Sequence, residues 1–79
     1  MERKDILYQI KDIFIDTLEN KKIVIEETTQ ASDIDEWDSL THIILVAAIE
    51  KNFKIIFNST EILSWKNIGE MVNCIEGKI

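Results

Sequence analysis

The sequence contains no proline, only two glycines and a single cysteine, and none of its apolar runs reaches the roughly 18 residues needed to cross a membrane. With Cys74 alone no internal disulfide can form, and one free thiol fits a reducing cytoplasm. The opening residues, MERKDILYQIKDIF, lack the continuous apolar stretch of a signal peptide, so a soluble cytoplasmic protein without a membrane partner is expected. Basic residues are also scarce, 9 Lys and Arg against 15 Asp and Glu, for a net charge of −6. Binding to DNA or RNA requires lysines and arginines that neutralise phosphates, and this balance argues against it. Acidic charge suits docking on basic protein surfaces, or it simply keeps a small domain in solution.

What is present is a small apolar inventory arranged with helical spacing. The 79 residues, 46% hydrophobic, suffice for one core, and a single domain over 1–79 is expected. Ile6, Ile10, Ile13, Phe14 and Leu18 recur every three or four positions between charged residues, which predicts an amphipathic helix over roughly 3–18. From Asn20 to Asp38 no helical period is visible. Ile23 and Ile25 alternate with polar neighbours but have no partner strand, so this segment reads as a long ordered loop with Ile23, Ile25, Ile34 and Trp37 tucked onto the helices. Asn58-Ser59 offers a cap for a short helix over Thr60–Ser64. A last helix starts after Asn67, with Glu70 at the capping-box position and Ile68, Met71, Val72 and Ile75 as its stripe. Gly69 inside that helix costs about 1 kcal/mol relative to Ala, which points to a close approach or to mere tolerance. The expected fold class is all-α: a small four-helix bundle of three long helices and one short one, with a long loop between the first and second.

The second helix carries the strongest signal. Leu40–Phe53 (LTHIILVAAIEKNF) contains no breaker and follows the polar, acidic segment Ala31–Asp38, so Asp38 is the expected N-cap and Ser39 falls in the first turn. Unpaired N–H groups and a partial positive charge favour a phosphate there, and a serine on that spot is well placed to carry a phosphate ester. Around the helix, Leu45, Val46, Ile49 and Phe53 form one apolar side, while Leu40, Ile43, Ile44 and Ala47 form roughly the opposite one. A helix apolar on both sides keeps its second face for a partner, or buries it in self-association or under the long loop.

Asp38-Ser39-Leu40 opening the second helix, the run ending in Glu50-Lys51-Asn52-Phe53 with Ile55, the short Ser59–Ser64 element, and Asn67-Ile68-Gly69-Glu70-Met71 together resemble the acyl carrier proteins. The resemblance covers most of the chain and is weakest over residues 1–30. It implies that Ser39 is esterified with 4′-phosphopantetheine by a phosphopantetheinyl transferase using coenzyme A. The terminal thiol of that arm then holds an acyl or aminoacyl group as a thioester, and the protein itself catalyses nothing. Asp38 would serve as N-cap and in transferase recognition. Trp37, Leu40, Ile43, Ile44 and Ala47 would face partners, namely an activating ligase, an acyltransferase or a ketosynthase, with the carrier a monomer.

Two departures from the family pattern stand out. Many carriers have glycine two residues before the aspartate, whereas here Glu36-Trp37 precede Asp38; the indole can pack over the loop and present a flat face to a partner. Carriers of primary fatty-acid synthesis usually line this helix with several acids, but here Glu50 stands alone, and Thr41, Ile44 and Lys51 occupy positions where acids are expected. This favours a specialised stand-alone carrier in a lipid, polyketide, peptide or polysaccharide pathway. The alternatives are a primary fatty-acid carrier and an unmodified helical interaction module.

Other residues receive plainer readings. Asp33, Asp35, Glu36 and Asp38 lack the glycine and terminal Glu of a calcium loop and read as a solvated acidic rim, with no metal expected. His42 is expected to pack on the core side rather than to act on Ser39, and Cys74, off the Ile68–Ile75 stripe, to be an inert half-covered thiol.

Overall fold

The computed structural model describes residues 1–79. Four helices follow in order: α1 (Arg3–Leu18), α2 (Ser39–Phe53), α3 (Ser59–Ser64) and α4 (Ile68–Glu76), with no strand. None of them is long and apolar enough to cross a membrane. The segment between α1 and α2 is irregular apart from one 3₁₀ turn, Ala31–Asp33, where a plain loop was expected. Its cause is local: the Asp33 carboxylate accepts from the Gln30 N–H at 2.8 Å, closing the turn on itself.

The periodic stripes pack as their spacing predicts. Ile6, Ile10 and Phe14 of α1 meet Leu45, Val46, Ile49 and Phe53 of α2 and Ile68, Met71, Val72 and Ile75 of α4 in one core. Nine of the large side chains are wholly enclosed, each contributing about 1.5–3 kcal/mol by leaving water. The loop adds Ile23, Ile25, Ile34 and Trp37 to this core, while Val24 between the first two points to solvent. The alternation there is real, although it serves a loop draped over helices rather than a sheet.

The same loop also caps α4. Thr29 O accepts from the Ile68 N–H at 2.9 Å, and Glu27 O accepts from the Gly69 N–H at 2.8 Å. Asn67 Oδ1 takes the third N–H, that of Glu70, at 3.0 Å. These are groups that a helix start leaves without internal partners. Gly69 is therefore a close-approach glycine, since a Cβ there would stand 3.0 Å from Glu27 O. Arg3 locks this end from outside: its guanidinium grips both Glu27 oxygens at 2.8 and 2.9 Å and donates to Asn73 Oδ1 at 2.7 Å and Gly69 O at 3.0 Å. Both α1 and α2 end in a left-handed residue that is not glycine, Glu19 (φ 53°) and Lys54 (φ 57°).

Candidate functional site at the start of the second helix

Asp38 caps α2 with unusual completeness. Its Oδ1 accepts from the N–H groups of Leu40 at 3.0 Å and Thr41 at 2.9 Å, while Thr41 Oγ1 accepts from the Asp38 N–H at 2.8 Å and donates to Glu36 O at 2.7 Å. Thr41 thus fills the return position of a capping box that Glu more often occupies. Hydrogen bonding, first from the Thr41 N–H, holds the Asp38 carboxyl below its ordinary range against the opposing effect of partial burial, so it stays ionised.

Two consequences follow for Ser39. Because Asp38 does the capping, the Ser39 hydroxyl is not needed for it, and the side chain stands exposed in the first turn. The expectation that the helix N–H groups are open to a phosphate needs correcting, because the Leu40 and Thr41 N–H groups are already taken by the Asp38 carboxylate. What a phosphodiester on Ser39 Oγ would meet is the helix macrodipole and the Ser39 N–H, which makes no backbone hydrogen bond.

Beside Ser39 a groove of about 540 Å³ runs between α2 and α3, lined by Ala31, Trp37, Asp38, Ser39, His42, Ile43, Ile62, Leu63 and Trp65. A ladder of rings forms its inner wall. Trp37 meets Phe14 edge-on at 4.9 Å and donates its indole N–H to His42 Nδ1 at 3.0 Å. The two rings lie within 27° of parallel but 5.9 Å apart, a separation set by that in-plane hydrogen bond rather than by face-to-face stacking. His42 then contacts Trp65 edge-on at 6.0 Å, and Trp65 meets Phe57 at 4.8 Å. A second cavity of about 490 Å³ lies along the loop, among residues such as Lys22, Thr29 and Glu36, and does not reach Ser39.

The residues singled out in the sequence are partly gathered here. Leu40, Ile43, Ile44 and Ala47 are all exposed on the outer face of α2, covered neither by the loop nor by another helix. Trp37 is not on that face: at 8% exposure its ring belongs to the core, and it cannot offer a flat surface to a partner. The reason is Phe14, which gives the indole an apolar edge contact, and His42, which satisfies its N–H. His42 in turn is half-buried in the groove wall rather than packed in the core, and its Nδ1 is committed to Trp37. The acidic side chains of the loop do not converge on a point: Asp33 caps its own turn, Glu36 accepts from Asn20 at 2.8 Å, and Asp38 caps α2.

Sequence reasoning missed Ile62, Leu63 and Trp65, the far wall of the groove. The adjacent Ile62-Leu63 pair in a short capped element was the available signal, and Leu63 proves to be 83% exposed. Cys74 lies behind this wall, its thiol donating to Glu61 Oε2 at 3.2 Å. Burial, and next the Glu61 carboxylate, push that thiol upward, which keeps it protonated and inert.

This geometry suits a phosphopantetheine arm. An exposed hydroxyl free of structural duty stands at the mouth of an apolar groove. The family profile described as the phosphopantetheine attachment site matches residues 9–75. No curated protein matches the chain. The solution NMR structure of holo acyl carrier protein from Geobacter metallireducens superposes with a TM-score of 0.85 at 35% identity, over 91% of this chain and 83% of that one. The chain belongs to the acyl carrier proteins, whose cofactor is covalently bound 4′-phosphopantetheine.

Proposed function

We propose that Ser39 Oγ bears the phosphopantetheine and that the chain serves a specialised pathway rather than primary fatty-acid synthesis. The observation that carries the first part is the division of labour at the start of α2. Asp38 and Thr41 hold the turn, which leaves Ser39 as an exposed hydroxyl beside the groove. In the attachment, Ser39 Oγ forms a bond to the β-phosphorus of coenzyme A as the pyrophosphate bridge breaks. The product 3′,5′-ADP leaves, and the hydroxyl proton passes to a base of the transferase. Once bound, the arm supplies a thiol that holds acyl groups as thioesters. The chain's own work is to fix the attachment point, to offer Trp65, Ile62 and Leu63 as a wall for the arm, and to present α2 to the enzymes visited. Acyl carriers work in general with a modifying transferase and with acyl-handling enzymes.

Ser39→Ala should fold normally and take no phosphopantetheine from a broad-specificity transferase with coenzyme A. Intact mass reads the result, and a mass gain in that variant would sink the assignment.

The pathway reading is supported by the exposed face of α2. Leu40, Ile43, Ile44 and Ala47 are apolar, and the next exposed charge along it is Lys51. Basic patches on fatty-acid enzymes find little to pair with there, and such charges act mostly on association rate. Malonylation by a fatty-acid malonyl transferase should therefore be slow and only weakly salt-dependent. A rate and salt response equal to those of a primary fatty-acid carrier, measured side by side, would overturn it.

A further inference from the structure

We infer that the groove beside Ser39 is built for a flat aromatic acyl group, an aromatic carboxylic acid held as its thioester, and that Trp65 is its specificity-determining residue. This rests on attachment of the arm at Ser39.

The space inside the bundle is already occupied. Nine large side chains between the helices are wholly enclosed, and the cavities of about 490, 540 and 230 Å³ all open on the surface. A long alkyl chain gains by being enclosed along its length, and no enclosed channel leads inward from Ser39. The groove is shallow instead, with a stiff wall. Trp65 is held by edge contacts to His42 on one side and Phe57 on the other, so it keeps its orientation when cargo arrives. Of the two indoles lining the groove, Trp37 is almost wholly covered with its N–H on His42 Nδ1, and Trp65 is half-exposed, so the ring surface the wall offers is mainly that of Trp65. Aromatic rings gain from offset or edge contacts with such surfaces beyond simple burial.

The wall also supplies one oriented donor. A neutral imidazole that accepts at Nδ1 carries its proton on Nε2, so His42 brings a single N–H into this lining. Aromatic surface beside one donor suits an aryl ring conjugated to a carbonyl, whereas a long saturated chain uses only the apolar part.

The test loads the full-length protein from benzoyl- and dodecanoyl-coenzyme A with a broad-specificity transferase. Hydrolysis of each thioester is then compared with that of the same acyl-coenzyme A. Benzoyl on the carrier should hydrolyse about two- to tenfold more slowly than benzoyl-coenzyme A, the range expected of one aromatic contact. Dodecanoyl should hydrolyse at the rate of its coenzyme A thioester. Trp65→Leu should remove the benzoyl protection and Trp65→Phe should restore most of it, with far-UV circular dichroism confirming that both variants are folded. Equal or greater protection of dodecanoyl, or benzoyl protection indifferent to Trp65→Leu, overturns the inference. Mass analysis of the Ser39 peptide separates the two levels. Failure to load Ser39 overturns the attachment site and this inference together, whereas loading without protection overturns this inference alone.

Discussion

Helices α2 and α4 begin with the same local device, an Asx residue whose side chain accepts the N–H three positions on: Asp38 for Thr41, Asn67 for Glu70. Their surroundings then diverge. The start of α4 is roofed by loop carbonyls at Thr29 and Glu27, approached so closely that a Cβ at position 69 would stand 3.0 Å from Glu27 O, and clamped by Arg3. The start of α2 has no roof, and Ser39 and Leu40 lie open to solvent beside the groove. Capping alone therefore does not distinguish a functional helix start from a structural one. Between these two starts the difference is coverage: at α4 the N–H groups are satisfied from another part of the chain and the start is a joint of the fold, whereas at α2 the cap is local and Ser39 is left uncovered.

The largest test of this contrast uses the two faces of α2 itself. Ile49→Ala, which truncates a wholly enclosed side chain, should cost about 2–5 kcal/mol in denaturant unfolding. Ile43→Asp on the open face should change stability by no more than about 0.5 kcal/mol while slowing loading by partner enzymes. Equal destabilisation by the two would mean that the open face is core.

At the roofed start of α4, Gly69→Ala adds a Cβ 3.0 Å from a backbone oxygen that the Gly69 N–H itself binds. Overpacking of this kind costs about 1–3 kcal/mol, against a gain of about 1 kcal/mol in helix propensity. The expected result is net destabilisation with modification of Ser39 unchanged. A stabilised variant would show that the loop gives way easily and that the roof is loose.

The smallest effect concerns the clamp. Hydrogen bonding to Arg3, opposed by partial burial, holds the Glu27 carboxyl below its ordinary value of 4.5. A lowered folded-state value contributes stability that is present above 4.5 and is lost as pH falls through the depressed value. Arg3→Ala should therefore trail the parent at neutral pH, with the gap narrowing in acid. The narrowing is incomplete, because the Asn73 and Gly69 bonds do not titrate. Asp38, whose carboxyl is also lowered, titrates in both proteins and cancels from the difference. A gap constant from neutral pH to below 4 would remove Glu27 from the clamp's working parts; the bound of about 4 reflects the usual carboxylate range.

How much of this was legible in the sequence depended on the range of the interactions. The stripes of α1 and α2 announce themselves within a few turns, and Ile6, Ile10, Phe14, Leu45 and Ile49 are enclosed as their periods require. Asp38 and Ser39 were legible for the same reason, since a cap and a first-turn residue are neighbours in sequence. The roof over α4 was not, because backbone carbonyls of Glu27 and Thr29 can belong to any residue type; Gly69 was its one trace. Trp37 was read both as tucked onto the helices and as facing a partner, because an indole suits either a core or a docking face, and only Phe14, from another helix, decides for the core. The far wall of the groove escaped because α3 is six residues long, too short for a stripe to show a period.

The scarcity of glycine leaves a reserve in the fold. α1 and α2 both end by turning left-handed on residues with a side chain, Glu19 and Lys54, a conformation that costs an ordinary L-residue about 1–2 kcal/mol. Neither position lines the groove or belongs to the exposed apolar face of α2. Glycine at either one would relieve that strain, less about 0.5–1 kcal/mol for its greater freedom when unfolded. The carrier therefore has two places, at the ends of its longest helices, where stability can be adjusted without touching the groove beside Ser39 or the open face of α2. Substitutions in the groove that weaken the fold have somewhere to be compensated.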